Sequence, residues 1–87
     1  MSNSSYISGN GLPFAKIFGE RVKARRKELG LSQGDVFERT GISAAYISSI
    51  ERGSANPSLD IMAQLCDAIE ASIADMLRPP EVDDRTN

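Results

Sequence analysis

From residue 14 onward, apolar side chains recur at helical rather than strand spacing. Phe14, Ile17, Phe18, Val22 and Leu29 approximate a stripe of 3.6-residue period and predict a helix over 14–29. Lys16, Arg21, Lys23, Arg25 and Lys27 fall mostly off that stripe, on a solvated face, and Gly30 is a stop signal. A second helix over 32–39 opens on Ser32, with Asp35 three residues on as a variant of the capping box. Val36 and Phe37 are expected to face the core. Thr40-Gly41-Ile42 makes a tight turn, in which Gly41 can take the positive φ that a sharp helix–helix junction needs.

The third helix, over 43–52, is capped by Ser43 and turns Ile47 and Ile50 inward. Ala44, Ala45, Ser48 and Ser49 are left on its outer side, with Tyr46 at the edge. A surface helix with a purely structural role usually carries Lys, Glu and Gln there. An outer face of Ala and Ser is smooth and lets the helix approach another surface closely. Residues 53–57 are a loop by composition. Ser58 caps a fourth helix over 59–69, with Leu59, Met62, Leu65, Cys66 and Ile69 as its buried stripe. Ser72 and Asp75 repeat the start signal for a short fifth helix through Leu77, and Pro79-Pro80 ends it.

The expected architecture is therefore all-α, with one folded unit over 14–78. At 87 residues there is little room for a second domain. Residues 1–13 are rich in Ser, Asn and Gly without Lys or Arg, and predict a flexible arm. Residues 79–87 read as an acidic, disordered tail.

Composition then removes several function classes. With no histidine, the commonest general base and metal ligand is absent. The single Cys66 can form neither an internal disulfide nor a zinc site. No phosphate-cradling glycine loop of the Walker type is present. The expectation is a protein that is not an enzyme and uses no metal or cofactor. No apolar run approaches the ~20 residues that span a bilayer, and the N-terminus lacks a secretory pattern, so a cytoplasmic protein without a membrane partner is expected.

The formal net charge of −2 argues at first against a nucleic-acid partner. Its distribution reverses that impression. Residues 1–58 hold eight Lys/Arg against five Asp/Glu, whereas residues 59–87 hold two against seven, an asymmetry that can give an acidic protein one basic face.

The motifs Arg26, Leu31-Ser32-Gln33, Gly41-Ile42-Ser43, Tyr46-Ile47-Ser48, Ile50-Glu51-Arg52-Gly53 and Asn56-Pro57-Ser58-Leu59 occur in order and at family spacing. In these residues the chain resembles the XRE family of DNA-binding domains, which includes the lambda repressor and Cro proteins. The resemblance covers about residues 14–77. It implies a five-helix lambda-repressor-like fold with the helix-turn-helix at helices 2–3. The implied function is a sequence-specific regulator that binds double-stranded DNA as a homodimer, with helix 43–52 in the major groove of a palindromic operator. Ser43, Ala44, Ala45, Ser48 and Ser49 would face base edges. Gln33, Tyr46, Arg52, Ser54 and Asn56 would lie near phosphate, with Gln33 also helping to hold the recognition helix. Arg26 and Glu51 match a pair that bridges the first and third helices. Ile69, Ile73, Met76 and Leu77 are candidates for a dimer interface, with the intramolecular core as the alternative for all four.

Two departures from the family pattern are visible. Phe37 stands where the family usually has alanine, because the two helices cross closely there. The base-facing set also lacks the Arg, Asn and Gln side chains that make bidentate contacts with guanine or adenine. Sequence preference is then expected to lean on thymine methyl contacts, water bridges and DNA shape. A phage-type repressor, a restriction–modification controller and an antitoxin-like autoregulator all suit a chain of this size. A protein–protein adaptor on the same fold is the competing reading, supported by the acidic pI of about 5.0.

Overall fold

The computed structural model describes residues 13–79. The expected arm 1–13 and tail 79–87 lie, apart from Pro13 and Pro79, outside the described residues. Between them run α1 (Phe14–Glu28), α2 (Gln33–Thr40), α3 (Ala44–Glu51), α4 (Leu59–Ala68) and α5 (Ile73–Leu77), with no strand among the described residues. Each helix falls within about a residue of its expected bounds. The small differences are cap residues, which belong half to the helix and half to the loop.

Four of the five helices start on a serine in extended backbone conformation. Ser32, Ser43, Ser58 and Ser72 accept hydrogen bonds through Oγ from the backbone N–H of Asp35, Tyr46, Ile61 and Asp75. Each satisfies a donor that the helix leaves orphaned, at a typical gain of about 1 kcal/mol. At α2 the capping box is complete, because the Asp35 carboxylate accepts in return from the Ser32 N–H at 2.8 Å. Gly41 ends α2 at φ 79°, in the left-handed region. Beside it the Thr40 hydroxyl donates to the Val36 carbonyl at 2.8 Å and accepts from the Ile42 N–H at 2.9 Å, which fixes the turn between α2 and α3.

Phe18, Val22, Val36, Ile42, Ile47, Ile50, Leu65, Cys66 and Ile69 form the core. α1 packs on α3 and α5, α2 on α3 and α4, and α4 on α5. Cys66 is buried as a small apolar side chain, and burial pushes its thiol pKa up. Three expected core positions move outward. Phe37 is 44% exposed, because Val36 fills the inward direction of α2 and the next residue lies about 100° further round the helix. Leu59 is 67% exposed at the first position of α4, where Pro57 is the buried residue instead. Phe14 is 45% exposed in the first turn of α1, ahead of the buried pair Ile17 and Phe18.

Arg21 and Arg25, which the sequence places on a solvated face, and Arg39 of α2 have structural work. Arg25 donates through Nε to the Ile69 carbonyl at 3.0 Å and through Nη2 to the Glu70 carbonyl at 3.2 Å. Arg39 donates to the Ala68 carbonyl at 2.8 Å. Both cations therefore close the carboxyl end of α4, where unpaired carbonyls and the helix dipole favour positive charge. Arg21 donates to the Arg78 carbonyl at 2.9 Å, just past α5.

Candidate nucleic-acid interface

α3 is divided cleanly between an inner and an outer side. Ile47, Ile50 and Glu51 are buried. Ala44, Ala45, Tyr46 and Arg52 are exposed, and Ser48 and Ser49 are half-buried beside them. The division follows from spacing: 47, 50 and 51 share one face of a 3.6-residue helix, while 45, 48, 49 and 52 share another.

The buried carboxylate fixes α3 against α1. Arg26 donates to Glu51 through Nε at 2.7 Å and through Nη2 at 2.9 Å, a two-point contact whose side chains are 9% and 3% exposed. Arg26 Nη1 also donates to the Leu31 carbonyl at 2.8 Å, tying in the start of the loop before α2. Gln33 adds a third donor, with Nε2 3.1 Å from Glu51 Oε1. Burial alone would raise the Glu51 pKa. The hydrogen bonds from Arg26 and Gln33, with the charges of Arg26 and Lys23, outweigh it and hold the carboxyl below its ordinary value. Arg26 is raised, chiefly by its hydrogen bond to Glu51. Three elements thus meet on one carboxylate, and α3 is held rigidly.

The remaining residues marked by the sequence are distributed around this helix. Ser43 spends its hydroxyl oxygen on the cap of α3. Gln33 is half-buried at the first position of α2, where its side chain points to Glu51. Ser54 folds back on the end of α3, its N–H and Oγ both donating to the Ser49 carbonyl, at 3.0 and 3.1 Å. Asn56 is exposed in the following loop. Arg52 lies back along α3, with Nη1 2.6 Å from Ser48 Oγ and Nη2 3.3 Å from Ser49 Oγ. Ile69 is fully buried in the monomer core, whereas Ile73, Met76 and Leu77 are half-buried and pack against it. Sequence reasoning missed two features of this region: the Arg52–Ser48 contact and Gly19, where α1 meets the backbone of α3. A glycine inside a helical pattern is the signal that marks the second.

Among the described residues no cluster of three or more His, Cys, Asp or Glu side chains is arranged to hold a metal, and no helix is long and apolar enough to cross a membrane.

The sequence matches a helix-turn-helix family model over residues 22–76. It is 40% identical over 67 residues to the HTH-type transcriptional regulator YazB of Bacillus subtilis, covering 77% of this chain and 96% of that one. In structure it is similar to the clp gene regulator ClgR of Corynebacterium glutamicum, with a TM-score of 0.71 and 30% identity over 74% of this chain and 82% of that one. It is also similar to the restriction–modification controller protein C.Esp1396I, solved as a tetramer in complex with its natural 35 base-pair operator. That match has a TM-score of 0.67 and 27% identity, and covers 74% of this chain and 88% of the controller. The chain belongs to the XRE-type helix-turn-helix family of transcriptional regulators.

Proposed function

We propose that this chain is a sequence-specific regulator that binds double-stranded DNA as a homodimer on a palindromic operator, with α3 in the major groove. The observation that carries this reading is the outer face of α3. Ala44, Ala45, Ser48 and Ser49 present no long side chain, on a helix braced from behind by the buried Arg26–Glu51 pair. A groove about 12 Å wide admits such a helix closely. Gln33, Tyr46, Ser54 and Asn56 flank that face from α2, from the edge of α3 and from the loop after it, and are assigned to phosphate contacts. The operator complex of the similar controller protein C.Esp1396I supports DNA as the partner. Dimerisation is assigned to Ile73, Met76 and Leu77, which lie only half-buried. Ile69 is left out because its side chain is already enclosed. No catalytic role is assigned to any residue.

The test is selection of bound duplexes from a random pool, followed by a salt titration on the selected sequence. Binding should weaken with a log–log slope of about −0.9 per phosphate neutralised. The selected sequences should show two-fold symmetry with half-site centres about 34–36 Å apart. Absence of binding to any duplex at low salt would reject this reading in favour of a protein–protein adaptor. Sedimentation that finds only monomer, with and without DNA, would reject the dimer.

A further inference from the structure

The outer face of α3 carries one charged side chain, and the structure turns it onto the base-facing surface rather than away from it. Helical side chains lean toward the N-terminus of their helix. Arg52, one turn after Ser48, accordingly lies over Ser48 and Ser49, with Nη1 2.6 Å and Nη2 3.3 Å from the two hydroxyl oxygens. None of the ion pairs among the described residues involves Arg52. Its guanidinium is thus held by two neutral hydroxyls on an exposed surface.

This arrangement changes what the serines can offer. A hydroxyl that accepts from a guanidinium keeps its own proton to donate outward. The guanidinium has five N–H donors and no acceptor, and two of its nitrogens are engaged here. Seen from the groove, Arg52, Ser48 and Ser49 therefore form a cluster dominated by donors. In the major groove guanine presents two neighbouring acceptors, N7 and O6, while adenine and cytosine each place an amino donor there. Ala44 and Ala45 offer only methyl contact, and Ser43 spends its hydroxyl oxygen on the cap of α3, so Arg52 is the one side chain here able to give guanine two parallel donors. Phosphate too is an acceptor, but Arg52 leans back along α3 onto Ser48 and Ser49, toward the middle of the outer face.

We infer that Arg52, positioned by Ser48 and Ser49, reads a guanine in each half-site. This rests on the DNA-binding reading above, and replaces a phosphate role for Arg52 with a specificity-determining one. Ser48 and Ser49 act on the base chiefly through Arg52 and are positioning residues.

The test compares the full chain with Arg52→Lys, Arg52→Ala and Ser48→Ala in the same random-duplex selection, with circular dichroism confirming that each variant is folded. Arg52 is exposed, so its replacement leaves the core intact. The wild type should select a guanine at one fixed position per half-site. Arg52→Ala should relax the preference at that position by roughly 5- to 150-fold, the range for one bidentate contact, and retain the preferences at the other positions, while Arg52→Lys, whose ammonium can still reach guanine O6 or N7, should relax it by less. Ser48→Ala should relax the same position by less. The inference is overturned if Arg52→Ala selects the same guanine as strongly. It is equally overturned if Arg52→Ala weakens all duplexes uniformly and lowers the salt slope by about 1, the mark of a lost phosphate contact. A wild type that binds no duplex overturns the DNA-binding reading itself, an outcome distinct from the other two.

Discussion

Gly19 of α1 meets the carbonyl group of Ile50 in α3 with no space for a methyl group between them. A Cβ at this position would also come within 3.0 Å of the Glu51 carbonyl oxygen. The close approach lets Arg26, further along α1, reach the Glu51 carboxylate. In a solvent-exposed helix, replacing Gly by Ala gains up to about 1 kcal/mol. Here the sign should reverse. Gly19→Ala should destabilise the fold by about 1–3 kcal/mol, as overpacking does. Thermal unfolding followed by circular dichroism measures it, and a midpoint at or above wild type would mean that the two helices have room to spare.

The Arg26–Glu51 pair should behave as a unit. Glu51→Leu leaves a buried guanidinium without its counter-charge, and Arg26→Met leaves a buried carboxylate with Gln33 as its remaining hydrogen-bond donor. Each single change should cost about 3–5 kcal/mol. The double replacement Arg26→Met with Glu51→Leu should recover much of that loss, because both desolvation costs disappear. Denaturant titration of the four proteins gives the coupling. Additive losses would show that the pair does not act as a pair.

Two carboxyl groups make stability depend on acid. Glu51 is held low for the reasons given above. Asp35 is held low chiefly by the hydrogen bond from the Ser32 N–H, and also by the Ser32 side chain. A carboxyl whose folded-state pKa lies below its unfolded value adds stability above the ordinary carboxylate range of about 4, and loses it as pH falls through the folded value. The melting temperature should therefore be level near neutrality and fall below about pH 4. Glu51→Gln should start lower and fall less steeply. A variant that loses stability on acidification as steeply as wild type would assign the acid sensitivity elsewhere.

Phe37 should be cheap to replace. It is 44% exposed while its neighbour Val36 is fully buried. Phe37→Ala should cost about 1 kcal/mol, against about 2–5 kcal/mol for Leu65→Ala in the core. Equal losses at the two positions would place Phe37 inside the packing after all.

The helices, their serine caps and the α2–α3 turn were legible in the sequence because each depends on neighbours a few residues apart. Ser32 needs only Asp35, and Gly41 needs only the turn that it occupies. Ile47 and Ile50 on the inner side of α3 followed from helical period alone, while the place of Glu51 was implied by the family resemblance. Tertiary structure decided which apolar positions are enclosed, since a stripe names a face but not how far its neighbours cover it. Phe14, Phe37 and Leu59 carry the right spacing and stay largely outside, whereas Ile69 is sealed in. The destinations of the arginines were likewise invisible. Arg25 and Arg39 reach carbonyls 44 and 29 residues away at the end of α4, and only the packing of helices brings those groups together. Arg52 is the intermediate case: its place on the outer face of α3 is a matter of period. That its guanidinium lies on Ser48 and Ser49 depends on the direction in which helical side chains lean.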